Sequence, residues 1–230
     1  LGAVLDCPVA KIKVVPQEIG GGFGGKIPVY LEPPAALLSR KTGHPVKLIM
    51  TRADVFEGTG PTPGSYVRVK MAADSSGRLV AAEGFLAFEA GAYPGGLMAC
   101  GVMCVFGCYD IPNGTIDGYN VVVNKPRSFA YRAPCSTQVA FATETVMDEI
   151  AAQLEMDPLE LRLKNTAKEG TRRIDGVVYP RIGCEETLAE IKKSEHYNAP
   201  LAGPHQGRGI AVGYWFNVGL KSSVIASVND

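Results

Sequence analysis

The pattern of apolar residues predicts an α+β fold, a mixed β-sheet with helices packed against it. Three observations carry the prediction. Residues 66–73 and 79–88 alternate around the turn sequence Asp74-Ser75-Ser76-Gly77, which reads as a long β-hairpin. Residues 136–154 place Val139, Ala142, Val146, Ile150 and Leu154 on one helical stripe. Two further alternating runs, 209–218 and 223–228, supply strands to complete the sheet.

The elements follow in chain order. Residues 11–15 alternate as a strand and lead into the run Gly20-Gly21-Gly22-Phe23-Gly24-Gly25. Residues 29–41 suit a helix that starts at Pro33-Pro34, since proline is tolerated only in a first turn, and stops at Gly43. A short apolar strand covers 46–50. After the hairpin, 95–107 reads as a helix of poor intrinsic propensity, and 119–124 as a strand. Beyond the long helix, Asp157-Pro158-Leu159-Glu160 supplies an N-cap, an N1 proline and an N3 glutamate for a second one. A third helix covers 185–193. The polar stretch 168–176 reads as a mobile loop, and no internal repeat is found.

Composition narrows the class. Lys+Arg and Asp+Glu both number 23, so the formal net charge is zero, which argues against nucleic acid or an anionic membrane surface as partner. No window of about 18 uninterrupted apolar residues is present, so no segment is predicted to span a bilayer. Leu1 to Asp6 has neither an initiator Met nor a basic n-region, so it does not read as a signal peptide. Six cysteines without such a signal read as reduced thiols in a cytoplasm. Cys100, Cys104 and Cys108 share one helical face, but a structural zinc site wants four ligands and tighter pairing, so packing is the expected role. The last run halts on Asn229-Asp230, a pair that opens hairpin turns, so the chain reads as a piece of a longer polypeptide, cut at both ends.

Gly20 to Lys26 satisfies two phosphate-binding patterns, and its context rejects both. A P-loop needs Ser or Thr after the lysine to hold Mg²⁺, whereas Ile27-Pro28 follows. A dinucleotide fingerprint needs an acidic residue about 20 positions on, where Gly43-His44-Pro45 lies. What remains is a loop whose exposed amides allow close approach of an anionic or oxo-rich group.

The run Gln17-Glu18-Ile19-Gly20-Gly21-Gly22-Phe23-Gly24-Gly25-Lys26 closely resembles the molybdenum-cofactor loop of the xanthine dehydrogenase/aldehyde oxidase family of molybdenum hydroxylases. Lys41-Thr42-Gly43-His44-Pro45-Val46-Lys47 with Thr51-Arg52 resembles the family's helix-to-strand segment. Ala130-Tyr131-Arg132-Ala133-Pro134, with Gln138 and Glu144, resembles its second cofactor loop, and 157–165 is another family hallmark. Three spaced motifs are specific where a glycine run alone is not.

The resemblance implies that residues 1–230 are the first molybdenum-cofactor-binding domain of a large subunit, with a sub-division near 167–206. It implies a molybdopterin cofactor shared with a following domain, and [2Fe–2S] and FAD in partner domains or subunits. Cofactor binding carries over to Gly21, Gly22, Phe23, Gly24, Ala130, Tyr131, Arg132 and Gln138. Phe23 and Arg132 are expected beside the molybdenum ligands without being ligands themselves. The implied reaction is hydroxylation with water as the oxygen source. The family's glutamate base falls beyond Asp230, so no catalytic residue is expected in this chain, and the isolated chain is expected to be inactive.

Departures from the family pattern bear on substrate. Ile27 and Cys100 stand where xanthine-oxidising members place a Glu and an Arg, and Pro134 replaces their stacking Phe. A purine would leave buried polar groups unpaired in such a pocket, so an N-heteroaromatic, an aldehyde or an aromatic acyl thioester is favoured. Ala133 stands where carbon monoxide-oxidising members carry a copper-binding Cys. Two readings compete with this one: a nucleotide-binding protein using Gly20–Lys26, and a structural or assembly module without cofactor.

Overall fold

A computed structural model of the chain describes residues 1–216, 223, 224 and 226. The elements run α1 (Gly2–Leu5), a 3₁₀ turn (Val9–Lys11), α2 (Glu32–Thr42), α3 (Arg52–Gly58), β1 (Ser65–Ala73), β2 (Leu79–Gly91) and α4 (Met98–Cys104). They continue through β3 (Gly114–Val122), α5 (Ser136–Gln153), α6 (Pro158–Asn165), α7 (Cys184–Lys193) and α8 (Glu195–Asn198). One mixed sheet has the order β1-β2-β3, with β1 antiparallel and β3 parallel to β2.

The hairpin forms because its turn satisfies its own backbone. The Asp74 carboxylate accepts from the amides of Ser76 (2.8 Å) and Arg78 (3.0 Å) and from the Ser76 hydroxyl (2.7 Å). Along β2 the strand alternation buries Ala82, Leu86, Phe88 and Ala90 on one face. Helices α4 and α5 cover that face, and Val105, Phe106, Val139, Met147 and Ala151 complete the core.

Helix α6 starts as its sequence requires, with Asp157 accepting from the amides of Leu159 (2.8 Å) and Glu160 (3.0 Å). It is bound to α5 by a buried ion pair. Arg162, with 0% of its surface exposed, donates from Nε to Glu144 (2.8 Å) and pairs through Nη2 with Asp148 (2.8 Å). Glu144 also accepts from the Tyr109 hydroxyl and from the Val212 amide (2.8 Å), so both of its carboxylate oxygens are used. Asn165 ties α6 to the hairpin, accepting from the Leu79 amide (2.8 Å) and donating to the Gly77 carbonyl (2.7 Å).

Several expectations need correction. Residues 11–15 and 46–50 form no strand; the first follows the 3₁₀ turn and the second runs irregularly into α3. Helix α3 is not among the expected elements, although Thr51 and Asp54 build a reciprocal capping box at its start. The predicted helix at 29–41 starts at Glu32 with its prolines in the first turn and ends at Gly43, as expected, but it buries no residue and so does not pack on the sheet. The third strand starts at Gly114 rather than Tyr119.

On α5 the buried face is Val139, Thr143, Met147 and Ala151, rotated from the predicted stripe so that Ala142 and Val146 flank β1 instead. Polar Thr143 and Glu144 take interior positions because each finds a partner, Thr143 donating to the Val105 carbonyl at 2.7 Å. Residues 209–216 form no strand, and 223–228 lies largely outside the described residues, so the sheet holds three strands among those described. The stretch 168–176 is packed rather than loose: Thr171 and Arg173 are buried, and Arg173 donates to Asp175 (2.8 Å) and to the Tyr214 hydroxyl (2.7 Å). No helix among the described residues is long and apolar enough to cross a membrane.

Candidate functional site

The glycine run folds into consecutive tight turns. Gly25 N–H donates to the Gly22 carbonyl (2.8 Å) and Ile27 N–H to the Gly24 carbonyl (3.2 Å). Positive φ values at Gly20 (71°), Phe23 (48°) and Gly24 (100°) turn the backbone outward. Among the described residues, the amides of Gly21, Gly22, Phe23 and Gly24 donate to nothing, so four donors lie on one short loop. Lys26 folds back across Gly22 and donates its ammonium to the Ile19 carbonyl, which closes the loop on itself. A lysine so engaged is not presented as the phosphate ligand of a P-loop.

The second loop is equally strained. Arg132 (φ 25°), Ala133 (57°) and Cys135 (63°) all lie at positive φ, each at a cost of about 1–3 kcal/mol for a non-glycine residue. Helix α5 begins directly after them without a side-chain cap, and Ser136 donates its hydroxyl to the Tyr214 carbonyl (2.6 Å).

The two loops, remote in sequence, meet as a seam. Arg132 N–H donates to the Phe23 carbonyl (2.6 Å). The Arg132 guanidinium lies over the Phe23 ring, 5.9 Å from its centroid. Gly24 packs so closely that an added Cβ would stand 2.7 Å from the Ala130 carbonyl oxygen. Phe23 stays 61% exposed, and Tyr131 and Arg132 are exposed beside it.

A second connection was not singled out in the sequence, and no local motif announces it. The Tyr30 hydroxyl accepts from the Gly60 amide (3.0 Å) and donates to the Gly25 carbonyl (3.3 Å). The Tyr30 ring meets Phe129 edge-on, with centroids 6.5 Å apart. Gly60 lies under Phe129, where a Cβ would come within 2.2 Å of the ring, and Phe129 N–H donates to the Pro61 carbonyl (2.9 Å). A cavity of about 520 Å³ lies against this side of the loop, lined by Gly22, Gly25, Lys26, Tyr30 and Thr59 among others.

The remaining predicted residues are dispersed. Gln138 lines an open groove between α5 and β1 and donates to the Pro63 carbonyl at 3.4 Å, a weak bond. Ile27 is exposed one turn past Gly24, whereas Pro134 is half-buried between Ala133 and Cys135. Cys100 packs against the core, which includes Cys104, Cys108 and Cys135. Burial raises all four thiols, Cys104 to about 11 and Cys135 to about 12, so at neutral pH they are protonated. They act as core side chains. Among the described residues no group of three or more His, Cys, Asp or Glu side chains could hold a metal ion.

Comparison with known proteins bears on what such a seam receives. The profile of the molybdopterin cofactor-binding domain family matches residues 1–166. Over 198 residues the chain is 33% identical to a probable xanthine dehydrogenase subunit from Bacillus subtilis (strain 168), covering 84% of this chain and 27% of that protein. It is 29% identical to the nicotinate dehydrogenase large molybdopterin subunit of Eubacterium barkeri, covering 84% of this chain and 46% of that one. The chain thus spans less than half the length of these relatives. The fold superposes on the aldehyde oxidoreductase of Desulfovibrio gigas with a TM-score of 0.70 at 30% identity, covering 76% of this chain and 20% of that structure. With its α+β fold, its paired loops and a family match over most of its length, the chain belongs to the molybdopterin cofactor-binding domain family of xanthine dehydrogenases and aldehyde oxidoreductases.

Proposed function

We propose that this chain forms the first cofactor-binding domain of a molybdenum hydroxylase large subunit, and that the seam between its two strained loops receives the molybdopterin cofactor. The observation that carries the reading is the seam itself. Gly24 abuts Ala130 and Arg132 N–H bonds the Phe23 carbonyl, which leaves the amides of Gly21, Gly22, Phe23 and Gly24 open beside the exposed Arg132 guanidinium.

The residues fit the group. A molybdenum centre with oxo, sulfido and dithiolene ligands is anionic and rich in acceptors, and backbone amides donate to it without exchanging protons. Gly21, Gly22, Phe23 and Gly24 offer those donors, and Ala130, Tyr131 and Arg132 form the facing wall. The Arg132 guanidinium offsets negative charge, and its stacking on Phe23 holds it at the seam. Gln138, in the first turn of α5, is assigned a supporting role by the family resemblance alone, since it lies in the α5–β1 groove and not on the seam. When bound, the cofactor supplies two-electron oxidation of a substrate carbon with water as the oxygen source. Electrons then leave through [2Fe–2S] and FAD in partner domains or subunits.

Of the three residues that the family pattern places at the substrate, Ile27 is exposed next to the glycine loop and Pro134 follows the second loop, whereas Cys100 packs against the core, so this domain's share of the pocket falls to Ile27 and Pro134. Their apolar character favours an N-heteroaromatic or an aldehyde over a purine, a choice that rests on these side chains alone because the relatives are named for xanthine, nicotinate and aldehyde oxidation alike. The glutamate base belongs to another part of the enzyme, so the isolated chain is inactive. Metal and pterin analysis of the full-length protein, purified with its partner subunits, tests the reading. About one molybdenum and one pterin per large subunit is the expected result, and absence of both overturns it.

A further inference from the structure

The glycine loop has only slight packing of its own to hold its shape. Residues 1–62 contain no buried residue, so the loop is positioned by discrete bonds rather than by a core. Beyond the two turn bonds within the run, three groups supply them. Lys26 closes the loop internally, Arg132 N–H holds Phe23 across the seam, and the Tyr30 hydroxyl spans from Gly25 to Gly60. The third differs in kind, because it reaches a segment that is itself fastened to the second loop.

The connection can be traced atom by atom. Tyr30 accepts from the Gly60 amide at 3.0 Å and donates to the Gly25 carbonyl at 3.3 Å, a long bond for a hydroxyl, and Gly60 lies under the Phe129 ring with no room for a side chain. Phe129 donates to Pro61, meets the Tyr30 ring edge-on and is capped by the Arg127 guanidinium, 5.1 Å from its centroid. The residue after Phe129 is Ala130, whose carbonyl abuts Gly24. The path therefore leaves the glycine loop at Gly25 and returns to it at Gly24 by way of the second loop. A closed circuit of this kind restrains the spacing of the two loops more than either seam contact alone.

We propose that Tyr30 is a positioning residue for cofactor binding: its hydroxyl sets the spacing between the glycine loop and the 130–132 loop, and thereby the aim of the open amides of Gly21 to Gly24. Tyr30 acts through Gly25, Gly60 and Phe129 and needs no contact with the cofactor. The inference rests on the functional reading above, and its test separates the two. Nothing in the glycine motif demands tyrosine at this position, so the device is a property of this chain's packing.

The experiment compares the full-length subunit, purified with its partners, as wild type and Tyr30→Phe, which removes one oxygen and keeps the ring. Deuterium uptake is followed on the peptide covering residues 17–26. Molybdenum loss is timed during dialysis, and the paramagnetic signal of the partly reduced metal is recorded. Losing one bridging hydroxyl is expected to speed exchange and molybdenum release about three- to tenfold. It is also expected to shift the metal signal, while the unfolding midpoint stays put because Tyr30→Phe keeps the ring and its contact with Phe129. Exchange and release at wild-type rates would overturn the proposal. Should the variant fail to accumulate, Phe129→Leu, which keeps both hydroxyl bonds and removes the ring contact, is measured instead. Faster exchange at 17–26 supports the coupling, and unchanged exchange overturns it. If the wild type contains no molybdenum, the functional reading falls, and the exchange comparison still decides the role of Tyr30.

Discussion

Replacing Gly24 with alanine tests the seam most directly, because two separable costs fall on one residue. Its φ of 100° lies where L-residues are strained, at about 1–3 kcal/mol. The new Cβ would also stand 2.7 Å from the Ala130 carbonyl oxygen, so the loops must part by roughly 0.7 Å to reach ordinary contact. That displacement stretches the neighbouring Arg132 N–H bond to Phe23, now 2.6 Å, to the limit of hydrogen bonding and forfeits about 1 kcal/mol. Together these give about 2–4 kcal/mol, or roughly thirty- to thousandfold weaker cofactor retention. Two neighbours serve as controls. Gly20→Ala meets strain at φ 71° but open space, and should weaken retention about fivefold to thirtyfold. Gly25→Ala meets only the Gly22 carbonyl oxygen at 3.5 Å, without positive φ, and should be near neutral. The assay is molybdenum content after graded dialysis of the whole enzyme, with the unfolding midpoint as a check on the fold. Equal retention by Gly24→Ala and Gly25→Ala would refute the reasoning, since the seam would then carry no weight.

Three further outcomes follow from the same geometry. Arg162→Met strands Glu144 in the interior with only Tyr109 and Val212 for partners, and should cost about 3–5 kcal/mol, read as a large fall in the unfolding midpoint. Asp157→Ala removes the cap of α6 and a bond from the Tyr197 hydroxyl, and should cost about 1 kcal/mol by denaturant titration. Because burial raises the thiols of Cys104, Cys108 and Cys135, they should react with a thiol reagent at pH 8 far more slowly than Cys7. For Cys104 and Cys135 the rate should climb only as pH approaches about 11 and about 12; fast labelling of the native protein at pH 8 would contradict the burial.

Local chemistry made some elements readable and others not. The hairpin at Asp74 and the start of α6 at Asp157 are legible because one carboxylate satisfies a turn or a helix end within four residues, whatever the rest of the chain does. The stripe of α5 misleads because apolarity marks only one way of filling the interior. Thr143 and Glu144 are buried through bonds to Val105, Tyr109 and Arg162, partners that no helical period reveals. The runs 11–15 and 46–50 have strand-like composition but no neighbour to pair with among the described residues, and an unpaired alternation stays irregular. The two loops are legible as motifs; Tyr30 is not, because its importance comes from where Gly60 and Phe129 fold.

The same contrast explains why the candidate site is built from strained backbone. A loop in a segment without buried residues cannot rely on packing alone to hold Phe23 at positive φ, nor to fix the facing Arg132 and Ala133. Such conformations persist only where several contacts over-determine them. Here the contacts are bonds within and between two loops, and each bond uses a carbonyl: Ile19 for Lys26, Phe23 for Arg132, Gly25 for Tyr30. A carbonyl turned inward turns the amide of the next residue outward, because the C=O and N–H of one trans peptide unit point in opposite directions. The seam therefore does more than join the loops. With the Phe23 carbonyl held by Arg132 and the Gly22 carbonyl by Gly25, the opposed amides of Gly24 and Phe23 point the other way and join those of Gly21 and Gly22 as unpaired donors, which is the polarity an acceptor-rich anionic cofactor requires.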